Sequence, residues 1–337
     1  MPKLKIAFFE VEDWEKEHIK RELKGLDIEF FGEHLDSSNV GKAKDADAVA
    51  VFIYSQITPE ILAKLPRLKL IVTMSTGYDH IAIAECAKKG ITVCNVPNYG
   101  ENTVAEHTFA LILALSRKII ESTERTRKGD FSLEGLRGFD LKGKTIGIIG
   151  MGSIGQHVAR IAKGFEMKSM AFDVRKDKTL SKKFGFSYAS IDSILGNSDI
   201  ITLHCPYNKA THHLINSGNI KKIKKGAILI NTARGGLIET QGLINALSTG
   251  IISAAGLDVL EEECAIKEEK QLLSKRFAQE CDLRTMLQDH MLQRMDNVII
   301  TPHNAFNSRE ALLRIIDTTM ENIEAFGGKK PINVIRG

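Results

Sequence analysis

TIGIIGMGSIGQHVARIAKGFEMKSMAFD, residues 145–173, decides how the rest of the chain is read. A β-branched apolar run meets Gly150, Gly152 and Gly155, then an amphipathic segment, then a second apolar run ending at Asp173. That order is strand, tight glycine turn, helix, strand, acid. Glycines so placed let the backbone turn sharply, approach a pyrophosphate closely, and pack helix against strand. A helix beginning near Ser153 would aim its N-terminal amides at phosphates. Asp173, at about the ~20-residue spacing of the fingerprint, can accept hydrogen bonds from a ribose 2′-hydroxyl. Glycine turns are common, so a bare GxGxxG is weak. The strand before, the helix after and the acid beyond it favour a dinucleotide site over a structural turn.

Outward from this stretch, apolar runs of strand length alternate with helical patterns. Strands are expected at 5–9, 28–31, 48–54, 70–75 and 91–96, with helices at 14–23, 59–65 and 81–89. Past Asp173 the alternation continues, with strands at 199–204, 227–231, 252–258 and 298–301 and helices near 191–195, 216–223 and 240–247. Strands separated by helices imply parallel sheets covered on both faces. An apolar helical face runs from Val104 through Phe109, Ile112 and Leu115 to Ile119 and Ile120, predicting one long helix over 102–128. The glycine-rich segment 128–142 reads as a loop. The charged stretch 261–296 reads as a helical surface excursion, and a terminal helix follows at 309–326. The expected fold is α/β, with two Rossmann-like doubly wound domains and a cleft between them. The first would be discontinuous, 1–101 plus 302–337, and the dinucleotide domain would span 102–301.

The 337 residues suit two domains, and 43% hydrophobic with 26% charged residues is ordinary for a globular enzyme. No apolar run reaches the ~18–20 residues of a membrane span. The start, MPKLKIAFFE, enters a strand-like run with no signal peptide. The five cysteines form no CxxC pair, which suits reduced thiols in a cytoplasmic protein and no metal site. The net charge of +4 is mixed along the chain, and the Lys221, Lys222, Lys224, Lys225 cluster reads as a solvated helix face rather than a nucleic-acid patch.

In doubly wound sheets, ligands bind beyond the carboxyl ends of the strands. Arg234 follows the strand at 227–231, Asp258 and Glu261–Glu262–Glu263 follow that at 252–257, and His303 follows that at 298–301. Reduction of an α-keto acid needs such a set. A guanidinium can bind the carboxylate bidentately and polarise the carbonyl. An imidazolium can donate the proton, and a neighbouring carboxylate can orient it and raise its pKa. Singly, Arg234 could be a surface ion-pair residue, His303 a structural histidine and Glu263 uninformative; their joint placement favours chemistry. His80 and His107 read as structural or cleft-lining, His204 as near the cofactor but unreactive, and His212 and His213 as turn residues.

NTARGG (231–236), GLDVLEEE (256–263) and TPHNA (301–305), following GMGSIG, resemble the D-isomer-specific 2-hydroxyacid dehydrogenases over nearly the whole chain. The resemblance implies NAD as cofactor, a small 2-keto or 2-hydroxy acid as substrate, and a homodimer. It implies Arg234, Glu263 and His303 as the catalytic set, with Arg234 holding substrate and Glu263 partnering the acid/base His303. The cofactor contacts it implies are Gly150, Gly152, Ser153, Ile154, Gly155, Asp173, Cys205, Pro206, Thr232, Ala233 and Asp258. For substrate it implies the Thr76 and Gly77 backbone amides and Tyr99. Asp173 favours NAD over NADP by charge repulsion, although Arg175 could approach a 2′-phosphate. Within the family, VFIY (51–54), Tyr99, the insertion after Glu263 and NVIITPHNAF are most similar to D-lactate dehydrogenases. Glyoxylate or hydroxypyruvate reduction is the alternative, for which Met74 leaves room. An NADH-sensing corepressor-like binding protein is the alternative from another class.

Overall fold

The computed structural model describes residues 4–261 and 283–335. The chain divides into two compact units, Met1–Tyr99 with Ser308–Gly337, and Gly100–Asn307. The sequence reading had placed the divisions after residues 101 and 301.

The first unit is a five-stranded sheet, parallel throughout, with helices in the connections. In chain order it contains β1 (Lys5–Phe8), α1 (Asp13–Glu22), β2 (Asp27–Phe30), β3 (Ala48–Val51), α2 (Pro59–Ala63), β4 (Leu70–Thr73), α3 (Ile83–Lys88) and β5 (Thr92–Cys94). Every residue of β3 (AVAV) and β4 (LIVT) is buried. A strand covered on both faces must be apolar throughout, which is why these runs do not alternate. The C-terminal helix Arg309–Gly327, capped by Ser308 Oγ accepting from Ala311 N–H, packs on β4 and α1. Sheet order is β2-β1-β3-β4-β5, so the winding reverses between β1 and β3.

The second unit opens with α4 (Glu101–Ser116) and α5 (Ile119–Arg127), and continues through β6 (Thr145–Ile149), α6 (Ser153–Gly164), β7 (Lys168–Phe172), α7 (Lys178–Phe184) and β8 (Phe186–Tyr188). Then come α8 (Ile191–Asn197), β9 (Ile200–Leu203), β10 (Ala227–Asn231), α9 (Thr240–Ser248), β11 (Ile252–Leu257), α10 (Leu283–Gln293) and β12 (Val298–Ile300). The seven parallel strands lie in the order β12-β11-β10-β9-β6-β7-β8. Its winding reverses between β6 and β9, so the crevice where such sheets bind ligands lies beyond the ends of those two strands. Helices α4 and α6 cover one face, with Phe109, Ile112, Val158 and Ala162 against Ile146, Ile148 and Ile230. Helices α8 and α9 cover the other, over Leu203, Leu229, Ala255 and Leu257.

Two local expectations differ from the structure, and two of its elements were not anticipated. The single helix over 102–128 is two, because Lys118 takes a left-handed backbone, φ 54°, that ends α4 and starts α5 at a new angle. The helix at 216–223 is a turn and a three-residue 3-10 segment at Ile220–Lys222. There Asn216 Oδ1 accepts from Gly218 N–H, and Asn219 Oδ1 accepts from Asn216 N–H, so side chains compete for amides a helix would need. Helix α7 and edge strand β8 had not been anticipated. Of the helical excursion at 261–296, α10 is observed and residues 262–282 lie outside the described residues.

Candidate active site

The glycine turn at the end of β6 is built by close packing at two glycines and open space at the third. A Cβ on Gly150, whose φ is 101°, would lie 2.5 Å from the His204 carbonyl carbon at the end of β9. A Cβ on Gly155 would lie 2.0 Å from Gly150 O. At Gly152 a Cβ would meet nothing within 4 Å. The turn is thus pressed against the switch point from beneath and open above, as approach of a pyrophosphate requires. Gly152 and Ser153 are exposed at the start of the 12-residue helix α6, with its first amides beside them. Ile154 is half-buried in the first turn.

Asp173, one residue past β7, is fixed against this turn. Its Oδ2 accepts from Met151 N–H at 2.7 Å, and its Oδ1 from Arg175 N–H at 2.8 Å. A carboxylate held beside a phosphate-binding turn is where a ribose hydroxyl pair would sit, and these residues fit NAD. Cys205 and Pro206 leave β9 at the same crevice, and burial raises the Cys205 thiol to about 11, so it is no nucleophile. Its neighbour His204 is lowered to about 3 by burial and is neutral, with Nε2 2.8 Å from Thr202 Oγ1.

At the end of β10, Thr232 Oγ1 meets Thr108 Oγ1 of α4 at 3.0 Å. Ala233 N–H donates to Asn231 Oδ1 (3.1 Å), while Asn231 Nδ2 donates to Arg234 O (2.9 Å). The Asn231 side chain therefore moulds the turn presenting Arg234. Gly235 completes it, because a Cβ there would lie 1.7 Å from Leu260 O. Arg234 is half-buried, with Nη1 donating to Ala233 O at 2.7 Å. Among the described residues no carboxylate lies within ion-pair distance of it.

His303 sits in a turn that Asp258 organises. Asp258 is 1% exposed, and its carboxylate accepts from Thr301 Oγ1, Asn304 N–H (2.8 Å) and Ala305 N–H (2.9 Å). His107 Nε2 of α4 is 3.4 Å from Asp258 Oδ1 and 3.1 Å from Thr301 Oγ1. Burial alone would raise this carboxyl, but the donors from His107, Thr301, Ala305 and Asn304 outweigh it and hold the group below the usual carboxylate range. The Asp258 carbonyl in turn accepts from His303 N–H at 2.8 Å. His303 adopts φ 50°, a left-handed backbone that a histidine takes only where its surroundings hold it. Its half-buried ring meets Phe306 edge-on, centroids 6.5 Å apart.

Glu263, expected to partner His303, lies outside the described residues. Two residues before it, Glu261 accepts from Thr240 N–H (3.0 Å) and Thr240 Oγ1 (2.6 Å) and pairs with His213 Nε2. Burial raises the Glu261 carboxyl and these donors more than reverse it, leaving it low. No sequence signal separated Glu261 from its acidic neighbours. His107 had been noted without a role, and its placement on the apolar side of a helix was the only hint.

In the first unit, Thr76 and Gly77 form the turn after β4. Thr76 Oγ1 donates to Val96 O (2.9 Å), Asn95 Nδ2 to Thr76 O (2.9 Å), and Ser75 Oγ to Gly77 O (2.6 Å). Hydroxyl and carbonyl groups are thus tied back, while the exposed Thr76 and half-buried Gly77 donate no backbone hydrogen bond among the described residues. Tyr99 is half-buried, and its carbonyl accepts from Arg314 Nε at 2.7 Å.

A seven-stranded parallel sheet, a glycine turn at its switch point and an acid fixed beside that turn define a dinucleotide-binding domain. Residues 109–305 match the model for the D-isomer specific 2-hydroxyacid dehydrogenase, NAD binding domain. The chain belongs to the D-isomer-specific 2-hydroxyacid dehydrogenase family, and is an NAD-dependent oxidoreductase acting on 2-hydroxy acids. It is 36% identical over 327 residues to a 2-hydroxyacid dehydrogenase homolog of Haemophilus influenzae, covering 95% of each chain. It is 35% identical over 319 residues to a glyoxylate reductase of Pyrococcus furiosus, covering 91% of this chain and 84% of that one. A D-lactate dehydrogenase of Aquifex aeolicus, solved with NAD and lactic acid, superposes with a TM-score of 0.84 at 38% identity over 96% of both chains.

Proposed function

We propose that the enzyme is a D-lactate dehydrogenase, interconverting pyruvate and D-lactate. The observation that carries this reading is the Asp258-anchored turn after β12 holding His303 left-handed, two strands along from an Arg234 without a carboxylate partner among the described residues. Arg234 binds the substrate carboxylate in a fork and polarises the adjacent carbonyl. The Thr76 and Gly77 amides and Tyr99 are the first unit's contributions to substrate binding. When bound, reduced nicotinamide supplies the hydride to the carbonyl carbon. His303 gives its proton to the carbonyl oxygen and recovers it in the reverse direction. Glu263 orients the imidazole and favours its charged form. Gly150, Gly152, Ser153, Ile154, Gly155 and Asp173 would hold the cofactor, with Cys205, Pro206, Thr232, Ala233 and Asp258 as its further contacts.

The likeness to both lactate and glyoxylate enzymes makes glyoxylate/hydroxypyruvate reduction the second reading. NADH oxidation followed with pyruvate, glyoxylate, hydroxypyruvate and 2-ketoisocaproate separates the two. Highest kcat/KM on pyruvate is expected; preference for glyoxylate or hydroxypyruvate overturns the lactate assignment alone.

The active form is a cytoplasmic homodimer. The described cysteines Cys86, Cys94 and Cys205 are free thiols, in keeping with a reducing compartment. Exposed Ile119, Ile120, Phe131 and Leu133 form an apolar surface suited to a second copy.

A further inference from the structure

Glu10 is a half-buried acid with no part in the chemistry above. It ends β1 with φ 60°, a left-handed backbone that disfavours any side chain but glycine. Its carboxylate reaches across the reversal in the first unit's strand order, from the end of β1 to the end of β3. There Oε2 accepts from Phe52 N–H (3.0 Å) and Oε1 from Tyr54 N–H (3.0 Å). Ser55 Oγ donates to Oε2 and itself accepts from Leu35 N–H at 2.9 Å. Burial raises the Glu10 carboxyl above its usual range, and the hydrogen bonds from Ser55, Tyr54 and Phe52 counter it only in part.

At a switch point, backbone amides ordinarily await an anionic ligand. In the first unit the amides after β3 face the chain's own carboxylate, so this crevice is already filled. The last residue of β3, from which the 52–55 loop starts, is tied to the residue after β4, where Met74 N–H donates to Val51 O at 2.8 Å, two residues before Thr76. Phe52 and Tyr54 pack edge to face, centroids 6.2 Å apart, and Tyr54 is 61% exposed. The loop that Glu10 anchors therefore leaves the sheet next to the strand that ends in the Thr76–Gly77 turn.

We propose that Glu10 is a positioning residue that sets substrate size by clamping the Phe52–Ser55 loop beside the carboxylate-binding turn. The proposal rests on the 2-keto acid reading for its specificity effect, while the clamp stands independently. Without the carboxylate, the loop loses its anchor at Phe52, Tyr54 and Ser55 together and moves outward, admitting a larger side chain on the keto acid.

The test compares wild-type enzyme with Glu10→Ala and Glu10→Gln by amide hydrogen exchange, NADH binding and kinetics on pyruvate and 2-ketoisocaproate. In Glu10→Ala, protection at the Phe52 and Tyr54 amides is expected to disappear while β1, β3 and β4 stay protected. The ratio of kcat/KM for 2-ketoisocaproate over pyruvate is expected to rise about 10-fold, mostly through KM, which is what one or two methylene groups are worth in a pocket. NADH affinity should not change. Glu10→Gln keeps one acceptor and should fall between, and it decides the matter if the alanine variant does not fold. Retained protection at Phe52 and Tyr54 overturns the clamp. Lost protection with an unchanged ratio overturns the specificity role. Wild-type enzyme inactive on every keto acid overturns the functional reading with its specificity effect, while hydrogen exchange, which needs no substrate, still decides the clamp.

Discussion

Asp258 shows how one buried carboxylate can shape the turn that carries a candidate proton donor. Both its oxygens are engaged by the 301–305 turn and by His107, so the left-handed geometry of His303 depends on its charge. Asp258→Asn replaces an acceptor-only group with one that also presents N–H donors toward peptide N–H groups, and should cost about 2 kcal/mol at neutral pH. Because the folded carboxyl is depressed, its contribution is complete above the unfolded value near ~3.9 and is lost as pH falls through the lower folded value. The stability gap between wild type and Asp258→Asn, measured by urea unfolding, should therefore be constant from pH 7 down to about 5 and close below about 4. A gap that widens in acid would mean the carboxyl is raised instead. His303→Ala should lower kcat by about 10²–10⁴-fold, the usual contribution of a general acid, with NADH affinity kept. Loss of NADH binding in that variant would make His303 structural. Arg234, His303 and the glycines were legible because reactive side chains at strand ends, in order, mark the ligand edge of a parallel sheet. Glu10 and Glu261 were not, because what distinguishes them is which amides fold back onto them, and an acidic residue near other acids carries no such signal.

Among the elements, those buried on both faces could be read directly, while surface elements misled. β3, β4, β9 and β10 are short, predominantly apolar runs buried at every residue, the pattern of a parallel strand covered on both faces. β8 is a three-residue edge strand, and α7, KTLSKKF, has no buried residue, so neither imposes a pattern. The break after α4 was hidden by an apolar face that continues into Ile119 and Ile120, which turn out to be exposed. Lys118 holds the break in a conformation costing about 1 kcal/mol for a side-chain-bearing residue. Lys118→Gly should then raise stability by up to about 1 kcal/mol in urea unfolding, less the extra freedom glycine adds to the unfolded chain. Gly155→Ala should act oppositely. Its Cβ, 2.0 Å from Gly150 O, must displace the glycine turn, so overpacking should cost about 1–3 kcal/mol. Calorimetric NADH titration should show weakened binding, and unchanged affinity would mean the turn does not touch the cofactor.

For the whole molecule, four of the second unit's exposed apolar side chains, Ile119, Ile120, Phe131 and Leu133, belong to α5 and the loop that returns along it. Arg125 Nη1 donates to Glu134 O at 2.6 Å and Phe139 N–H to Ser116 O at 3.0 Å, so residues 128–139 run back along the helix. This fold-back is deliberate in sequence, since a Cβ on Gly138 would lie 2.1 Å from Ser116 O. It presents Phe131 at 77% and Leu133 at 84% exposure, beside Ile119 and Ile120 at 50% and 49%. Side chains this large, held out by an ordered loop, are costly in water at about 25 cal/mol per Å² of apolar surface. A second copy burying the same patch on both partners would remove that cost, as two-fold interfaces do. Replacing Phe131 and Leu133 together by Glu should therefore convert a homodimer into a 37.3 kDa monomer in light scattering. Each unit has its own sheet and core, so the monomer should keep wild-type circular dichroism. A wild-type chain that already runs as a monomer at micromolar concentration, or a double variant that remains dimeric, would remove this patch as the interface.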